Sequence, residues 1–309
     1  MAIYQEPSLF KKIGVASFYS FISITLVLFN KSIFANYNFD SPGFLTICQA
    51  VVGIGLTRLL CHYSSVTIQG IGKDQVLKLY PLALIYVLNI LFGLMALQHI
   101  NIPIYNTLRR SGIFLVIFIE YYMYYRLPSR PILLSVSIIV FGTIIAGSRD
   151  LSFDIKSYII AMIANLLTAL YIILVKHYSK TLKLDPLNLL YYNNLLSLPF
   201  ACILSLLLKE NVVNYDWTMG FVLNFFTSVV FSFLLNVGIY FNTTINSPLT
   251  QSILGQAKGY IQLVFGLILF NDYQYEFYNA VGMSIAMFGG ILYAYIGYSE
   301  RNTDMKSKD

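Results

Sequence analysis

The chain has 309 residues, of which 57% are hydrophobic and 11% charged, with a formal net charge of +6 and a mean hydropathy of +0.68. Soluble domains carry about 25% charged residues, so this chain lacks the ions to coat a water-facing surface, and lipid is the solvent that its composition fits. Cys48, Cys61 and Cys202 lie in apolar stretches, and His62, His99 and His177 are scattered; no CxxC or HExxH spacing occurs, which argues against a metal or redox centre and reads the thiols as packing groups.

About 20 apolar residues cross a hydrocarbon core, and in lipid such a segment must be helical to satisfy its own backbone. Apolar runs bounded by polar or Pro/Gly punctuation predict spans at 13–35, 42–61, 79–98, 101–125, 131–148, 157–179, 186–208, 217–243, 248–271 and 274–297. The expectation is an all-α integral membrane protein of ten transmembrane helices with no room for a soluble domain. The narrowest separation is Gln98-His99-Ile100, between the third and fourth spans. The first apolar run is too long for a cleavable signal and reads as a signal anchor; the polar residues after Tyr298 read as a disordered tail.

Positive charge orients the spans. With a cytosolic N-terminus, the cytosolic side carries thirteen cations: Lys11, Lys12, Arg58, Lys73, Lys78, Arg126, Arg130, Lys176, Lys180, Lys183, Arg301, Lys306 and Lys308. The opposite side carries Arg149, Lys156 and Lys209. The bias places both termini in the cytosol and accounts for the basic excess without a nucleic-acid partner.

The chain also echoes itself. Asn101-Ile102-Pro103 opens the fourth span and Asn246-Ser247-Pro248 the ninth, while Phe141-Gly142 in the fifth is matched by Phe288-Gly289 in the tenth, at offsets of 145 and 147 residues. This predicts two five-helix repeats, 13–148 and 149–297, between a cytosolic segment 1–12 and a cytosolic tail 298–309. Five is odd, so the repeats have inverted topology, a transporter device that places substrate near the midplane between the halves.

Four cations remain inside the spans: Lys31, Arg109, Arg110 and Lys258, against one embedded acid, Glu120. An ion at the bilayer centre costs about 2.5–3.5 kcal/mol on insertion scales, so these groups need partners, and an anionic substrate supplies what one carboxylate cannot. Lys258 lies ten residues past Pro248, about 15 Å of helix rise, with Gly255, Ala257 and Gly259 around it to let a ligand or helix approach. Arg109 and Arg110 point about 100° apart, so one of them at most faces a ligand directly. For Lys31, snorkelling to the interface is the alternative. Tyr191-Tyr192-Asn193-Asn194 offers rings that stack on a base and amides that match its edge, although tyrosines and amides are also common at membrane interfaces.

These residues together resemble the nucleotide-sugar and triose-phosphate transporter group of the drug/metabolite transporter superfamily, over essentially the whole chain. The matching stretches are Asn30-Lys31 with Ser32-Ile33-Phe34, Thr107-Leu108-Arg109-Arg110, Asp150-Leu151-Ser152-Phe153-Asp154, the Tyr191–Asn194 tetrad, Ser247-Pro248-Leu249-Thr250 and Gly255-Gln256-Ala257-Lys258. The resemblance implies a ten-helix Golgi or endoplasmic reticulum antiporter, not an enzyme, that exchanges a nucleotide sugar for a nucleoside monophosphate without a cofactor, and leaves a homodimer open. Its motifs imply guanine recognition by Asn193 and Asn194, and sugar and phosphate contacts from Gly255, Gln256 and Lys258; Tyr192 and Gln251 are expected among the substrate-binding residues with them. The subfamily signals divide. Leu108-Arg109-Arg110 and the Asp150–Asp154 stretch are similar to carriers of UDP-glucuronate or UDP-N-acetylhexosamines. The tetrad and Gly255-Gln256-Ala257-Lys258 are similar to GDP-fucose carriers, which tips the expectation slightly towards a GDP-sugar; the GDP-mannose form Gly-Ala-Leu-Asn-Lys is not matched. A lipid-linked glycosyltransferase would need acidic pairs at the membrane edge, for which Asp272 and Glu276 are the nearest candidates. An exporter of organic cations on the same fold would need an acidic or neutral cavity.

Overall fold

The computed structural model describes residues 9–63, 67–125, 127–148, 154–182, 184, 186–210, 212, 215–245, 258–259, 261–262, 264–270 and 276–306. The helices are α1 (Leu9–Ala35), α2 (Pro42–Tyr63), α3 (Lys73–His99), α4 (Ile102–Tyr124), α5 (Arg130–Ser148), α6 (Ile155–Leu182), α7 (Pro186–Leu207) and α8 (Met219–Ile245), then the helical residues 258, 259, 261, 262 and 264–269, here α9, and α10 (Phe277–Lys306). Among the described residues, α1–α8 and α10 are nine helices long and apolar enough to cross a membrane. The protein is an all-helical, multi-pass membrane protein. Large apolar side chains such as Phe114, Phe118, Phe141, Ile144 and Phe226 face outward, as a lipid-solvated bundle requires.

The narrow break between the third and fourth spans is real and has a local cause. Ile100 and Asn101 adopt extended backbone angles, the Asn101 side chain accepts from the Ile104 amide at 3.0 Å, and Pro103 stands in the first turn of α4. A proline there loses no helix hydrogen bond, and an asparagine N-cap satisfies one of the free amides. α3 begins six residues before the predicted span, because charged Lys73, Asp74 and Lys78 extend the helix beyond its apolar core. The tail prediction is corrected. α10 continues as helix to Lys306 instead of ending at Tyr298, and Ser129 in the α4–α5 connection donates to the Glu300 carboxylate. Polarity ends a membrane span but not a helix, and Glu, Arg, Met and Lys are good helix formers.

The packing has an internal order. α3 lies on α6 and α1 on α8; α3 meets α7 and α2 meets α8; α2 packs on α7 and α5 on α10. Moving every helix five places along exchanges the members of the first two sets and returns the last two pairs to themselves. Hydrogen bonds join the corresponding helix pairs with the donor exchanged: Asn165 of α6 donates to the Leu108 carbonyl of α4 at 2.8 Å, and Gln262 of α9 donates to the Ser23 carbonyl of α1 at 3.0 Å.

The α5–α10 crossing is made backbone against backbone. A Cβ on Gly142 would lie 2.3 Å from the Ala286 nitrogen, and one on Gly289 would lie 2.8 Å from the Ile139 nitrogen. The offset of 147 residues that relates Gly142 to Gly289 also relates Ile139 to Ala286, so these two contacts correspond. A Cβ on Gly282 would come 2.2 Å from the Ala146 nitrogen. Small residues let helices approach to this distance in lipid, where packing rather than a hydrophobic drive holds them together. Gly142→Leu is therefore expected to lower the melting temperature in detergent and broaden the size-exclusion peak, since overpacking alone costs about 1–3 kcal/mol. Gly55→Leu, at a position with nothing within 4 Å among the described residues, should leave both unchanged.

Candidate functional site

Three helices bring charge and polar groups to one layer inside the bundle. α4 and α9 run antiparallel, with Gly266 against Ile102 at one end and Gly259 against Arg110 at the other. A Cβ on Gly266 would lie 2.8 Å from the Ile102 Cβ, and one on Gly259 would lie 3.2 Å from Arg110 Nη2. Glycine at these positions is what admits the larger group opposite. This register sets Asn106, on the same α4 face as Ile102 and Arg110, level with Gln262.

α1 closes the third side. Lys258 donates from Nζ to Tyr19 Oη at 2.8 Å and to Ser23 Oγ at 2.7 Å, with its ammonium 4.7 Å from the Tyr19 ring centroid. Tyr19 and Ser23 are four residues apart and share one face of α1; both are buried. A half-buried ammonium thus has two hydroxyl oxygens and an aromatic face, the kinds of partner that offset its desolvation.

The two arginines diverge as adjacent helical residues must. Arg110 is buried and faces Gly259 beside Lys258, whereas Arg109 is exposed among the described residues, donating to the Tyr105 hydroxyl at 2.9 Å and lying 5.6 Å from that ring. Arg110 thus packs against the residue next to Lys258 on α9, while Arg109 turns with Tyr105 to another side of α4. The Glu120 side chain and the predicted site residues Gln251, Gly255 and Gln256 lie outside the described residues.

Lys31 has a different environment. Its buried ammonium donates to the Ile100 carbonyl at 2.9 Å and the Leu97 carbonyl at 3.3 Å, the carbonyls left over at the end of α3. It stands eight residues beyond Ser23 on α1, about 12 Å along the axis, so it does not join the Lys258 layer. Its neighbour Asn30 accepts from Ser228 of α8, which in turn accepts from Gln49 of α2 at 3.4 Å.

The tetrad separates as well. Tyr192 donates to the Gln69 carbonyl in the α2–α3 connection, and Asn194 packs against α2, where a Cβ on Gly53 would lie 3.0 Å from its Nδ2. Asn193 is 1% exposed, and neither its amide nitrogen nor its oxygen has a hydrogen-bond partner among the described residues. A buried amide left bare costs about 1–3 kcal/mol, so Asn193 is the member of the tetrad whose polar atoms stand unused there. Asn106 Nδ2 is likewise buried without a partner among the described residues.

Three acids serve helix ends. Asp154 accepts from the Ser157 hydroxyl and amide and from the Lys156 amide at the start of α6, bonds that hold its carboxyl below the ordinary range. Glu276 accepts from the Asn279 amide at 2.7 Å at the start of α10, which occupies it as a cap. Glu210, after α7, receives the Gly43 and Phe44 amides of α2 at 2.6 and 2.8 Å. Beside it an aromatic cluster of Phe39, Phe44, Tyr215, Trp217, Phe221 and Phe225 closes the end of the bundle that carries the α1–α2 and α7–α8 connections. A polar cavity of about 420 Å³ lies there, lined in part by Asp40, Gln98, Lys209 and Glu210.

Sequence reasoning missed Tyr19, Ser23, Tyr105, Asn106 and Gln262. Tyr105 was accessible, because it precedes Arg109 by one helical turn; the others depend on which helix faces which.

An apolar multi-helix bundle with a basic layer in its interior is built as a membrane transporter. Residues 12–294 match the Triose-phosphate Transporter family, and the chain belongs to it. The UDP-sugar transporter UST74c of Drosophila melanogaster is 30% identical over 98% of this chain and 82% of its own length. The UDP-N-acetylglucosamine transporter UGNT1 of Arabidopsis thaliana is 30% identical, covering 90% and 85% respectively, and the UDP-sugar transporter sqv-7 of Caenorhabditis elegans 29%, covering 98% and 94%. A solved crystal structure shares the fold with a TM-score of 0.59 at 12% identity, over 89% of this chain and 96% of that one. The protein is a transporter and not an enzyme.

The Lys31 geometry makes a prediction. Lys31→Ala is expected to lower the melting temperature, because the two α3 carbonyls lose a charged donor worth about 1.5–3 kcal/mol. The shift induced by a phosphate-bearing ligand in the same thermal assay should persist.

Proposed function

We propose that this protein exchanges a nucleotide sugar of the uridine class for a nucleoside monophosphate across a Golgi or endoplasmic reticulum membrane, with both termini cytosolic. The observation that carries this reading is the half-buried Lys258 ammonium, held by Tyr19 and Ser23, with Arg110 packed on the adjacent Gly259, inside an apolar bundle where a pyrophosphate is the natural counter-charge. The cargo class is supported by the relatives, whose names include UDP-sugar and UDP-N-acetylglucosamine transporters. The orientation rests on the cation bias of the connections. The five-place order of the packing supports an inverted repeat of 13–148 and 149–297 in which α1 packs with α8 and α9 as α6 packs with α3 and α4, around a central site. The aromatic closure then lies on the luminal side.

Within the site, Lys258 and Arg110 hold the phosphates, Arg109 draws the anion inward, and Asn193 takes a polar group of the cargo. Gln251, Gly255 and Gln256 belong with the sugar on the strength of the family motif. Lys31 serves the α3 end. The GDP-sugar reading rests on paired amides and a stacking ring in the tetrad. Tyr192 is committed to the Gln69 carbonyl and Asn194 to α2, which leaves one amide where guanine recognition calls for two. That weighs towards uridine.

Thermal-shift measurements on the purified protein with UMP, GMP, CMP and AMP test the base. UMP is expected to stabilise most; a larger shift with GMP would return the reading to a GDP-sugar. Lys258→Ala should fold and insert yet bind UMP about ten- to a hundredfold more weakly, the loss of one charge-assisted contact of about 1.5–3 kcal/mol. Full UMP binding by this variant would remove the lysine from the site. Asn193→Leu should retain or raise stability while weakening the UMP shift, since it removes an unpartnered buried amide.

A further inference from the structure

α4 carries a buried amide that the fold does not use. Asn106 is 7% exposed, and its Nδ2 has no hydrogen-bond partner among the described residues. Its neighbours are engaged: Thr107 donates to the Pro103 carbonyl at 2.9 Å and Ser111 to the Leu108 carbonyl at 2.6 Å. Across the crossing, Gln262 Nε2 donates to the Ser23 carbonyl. We infer that Asn106 Nδ2 donates to an oxygen of the cargo's sugar and determines which sugar the carrier accepts; the inference rests on the nucleotide-sugar exchange proposed above.

The register of the crossing places the amide. Ile102 meets Gly266 and Arg110 meets Gly259, so Asn106, midway between them on α4, faces the stretch of α9 that joins the two glycines. Depth then assigns the group it meets. Asn106 lies four residues past Ile102, about 6 Å along α4, and Arg110 one turn deeper. Asn193 lies seven residues past Pro186, about 10 Å along α7. Three reversals of the chain separate α4 from α7, so the two helices start at opposite ends of the bundle. Arg110, and with it Lys258 beside Gly259, therefore stands between the two bare amides along the bundle axis. A nucleotide sugar has the same order of parts: base, diphosphate, sugar. With the phosphates on the cations and a polar group of the base at Asn193, the sugar comes to Asn106. Nδ2 is a donor, so its ligand is a hydroxyl or carbonyl oxygen. A sugar that presents no acceptor there leaves the buried donor bare, and a site built on a hydrogen bond rejects such an analogue far more strongly than an apolar pocket does.

The test titrates purified wild type, Asn106→Leu and Asn106→Ala with UDP, UDP-glucose, UDP-N-acetylglucosamine and UDP-glucuronate, following thermal shift. Wild type is expected to bind one of the three UDP-sugars more tightly than UDP. Asn106→Leu should keep the ligand-free melting temperature or raise it, since it removes a bare amide, and should keep the affinity for UDP. Its affinity for the preferred UDP-sugar should fall about tenfold, the loss of one hydrogen bond, and the ranking of the three sugars should flatten. Asn106→Ala should give the same pattern with less effect on packing. Equal losses for UDP and for the UDP-sugars would make Asn106 a phosphate contact, and that result overturns the sugar assignment. A lower melting temperature in both variants with the ranking of sugars intact would make the amide structural, and overturns it too. So does an unchanged affinity for every ligand, or a wild type that binds UDP and all three UDP-sugars equally. If wild type binds none of the four ligands, the parent reading fails and the inference with it.

Discussion

An ammonium ion inside a membrane must keep oxygen atoms around it in every state the protein visits, and this requirement orders the structure around Lys258. In the present state the oxygens are Tyr19 and Ser23 hydroxyls. Glycine at position 259 admits Arg110 beside the residue that follows Lys258, so α9 carries one cation and packs against another where the bundle is otherwise apolar. The desolvation of the ammonium is offset in this state by the two hydroxyls and the Tyr19 ring. Charge placement and helix spacing are therefore linked consequences of one electrostatic demand.

The same accounting explains the asparagines. Lipid offers no water to a stray backbone group, and amide side chains act as sutures wherever a helix starts, ends or meets another closely. Asn101 caps α4, Asn279 of α10 donates to the Ala146 carbonyl of α5, Asn165 reaches the Leu108 carbonyl, and Asn188 ties down the α2–α3 connection through Gln69 and Thr67. Against that background, the bare amide of Asn193 stands out. Among the described residues Asn193 is the asparagine with both side-chain polar atoms buried and unused.

The fold was largely legible in the sequence, because apolar length alone defines a membrane helix and prolines and asparagines mark the breaks. What misled was polarity at the ends: α10 runs through charged residues to Lys306, and α3 starts among lysines, since a helix in water follows propensity rather than hydropathy. In the site, the stranded cations were visible as residue types, but their separate duties were not. Lys31 and Lys258 are both lysines in apolar runs, yet one holds the end of α3 and the other faces α1 hydroxyls. That distinction depends on helix-to-helix register, to which a 3.6-residue period is blind. The Asp150–Asp154 resemblance likewise concealed a local task, the capping of α6 by Asp154.

The seams of the bundle differ in kind, and the difference bears on how such a carrier moves. At the α5–α10 crossing, backbone touches backbone through Gly142, Gly282 and Gly289, with no rotamer to turn and no partner to exchange, so the contact resists sliding and suits a pivot. The α1–α9 seam and the Glu210 clasp on α2 are made by side chains at their ends, and these can trade partners by turning a rotamer, which the glycine contacts cannot. The helices thus meet in two ways, through fixed backbone contacts where glycine allows them and through exchangeable polar ones where hydroxyls, amides and carboxylates face one another.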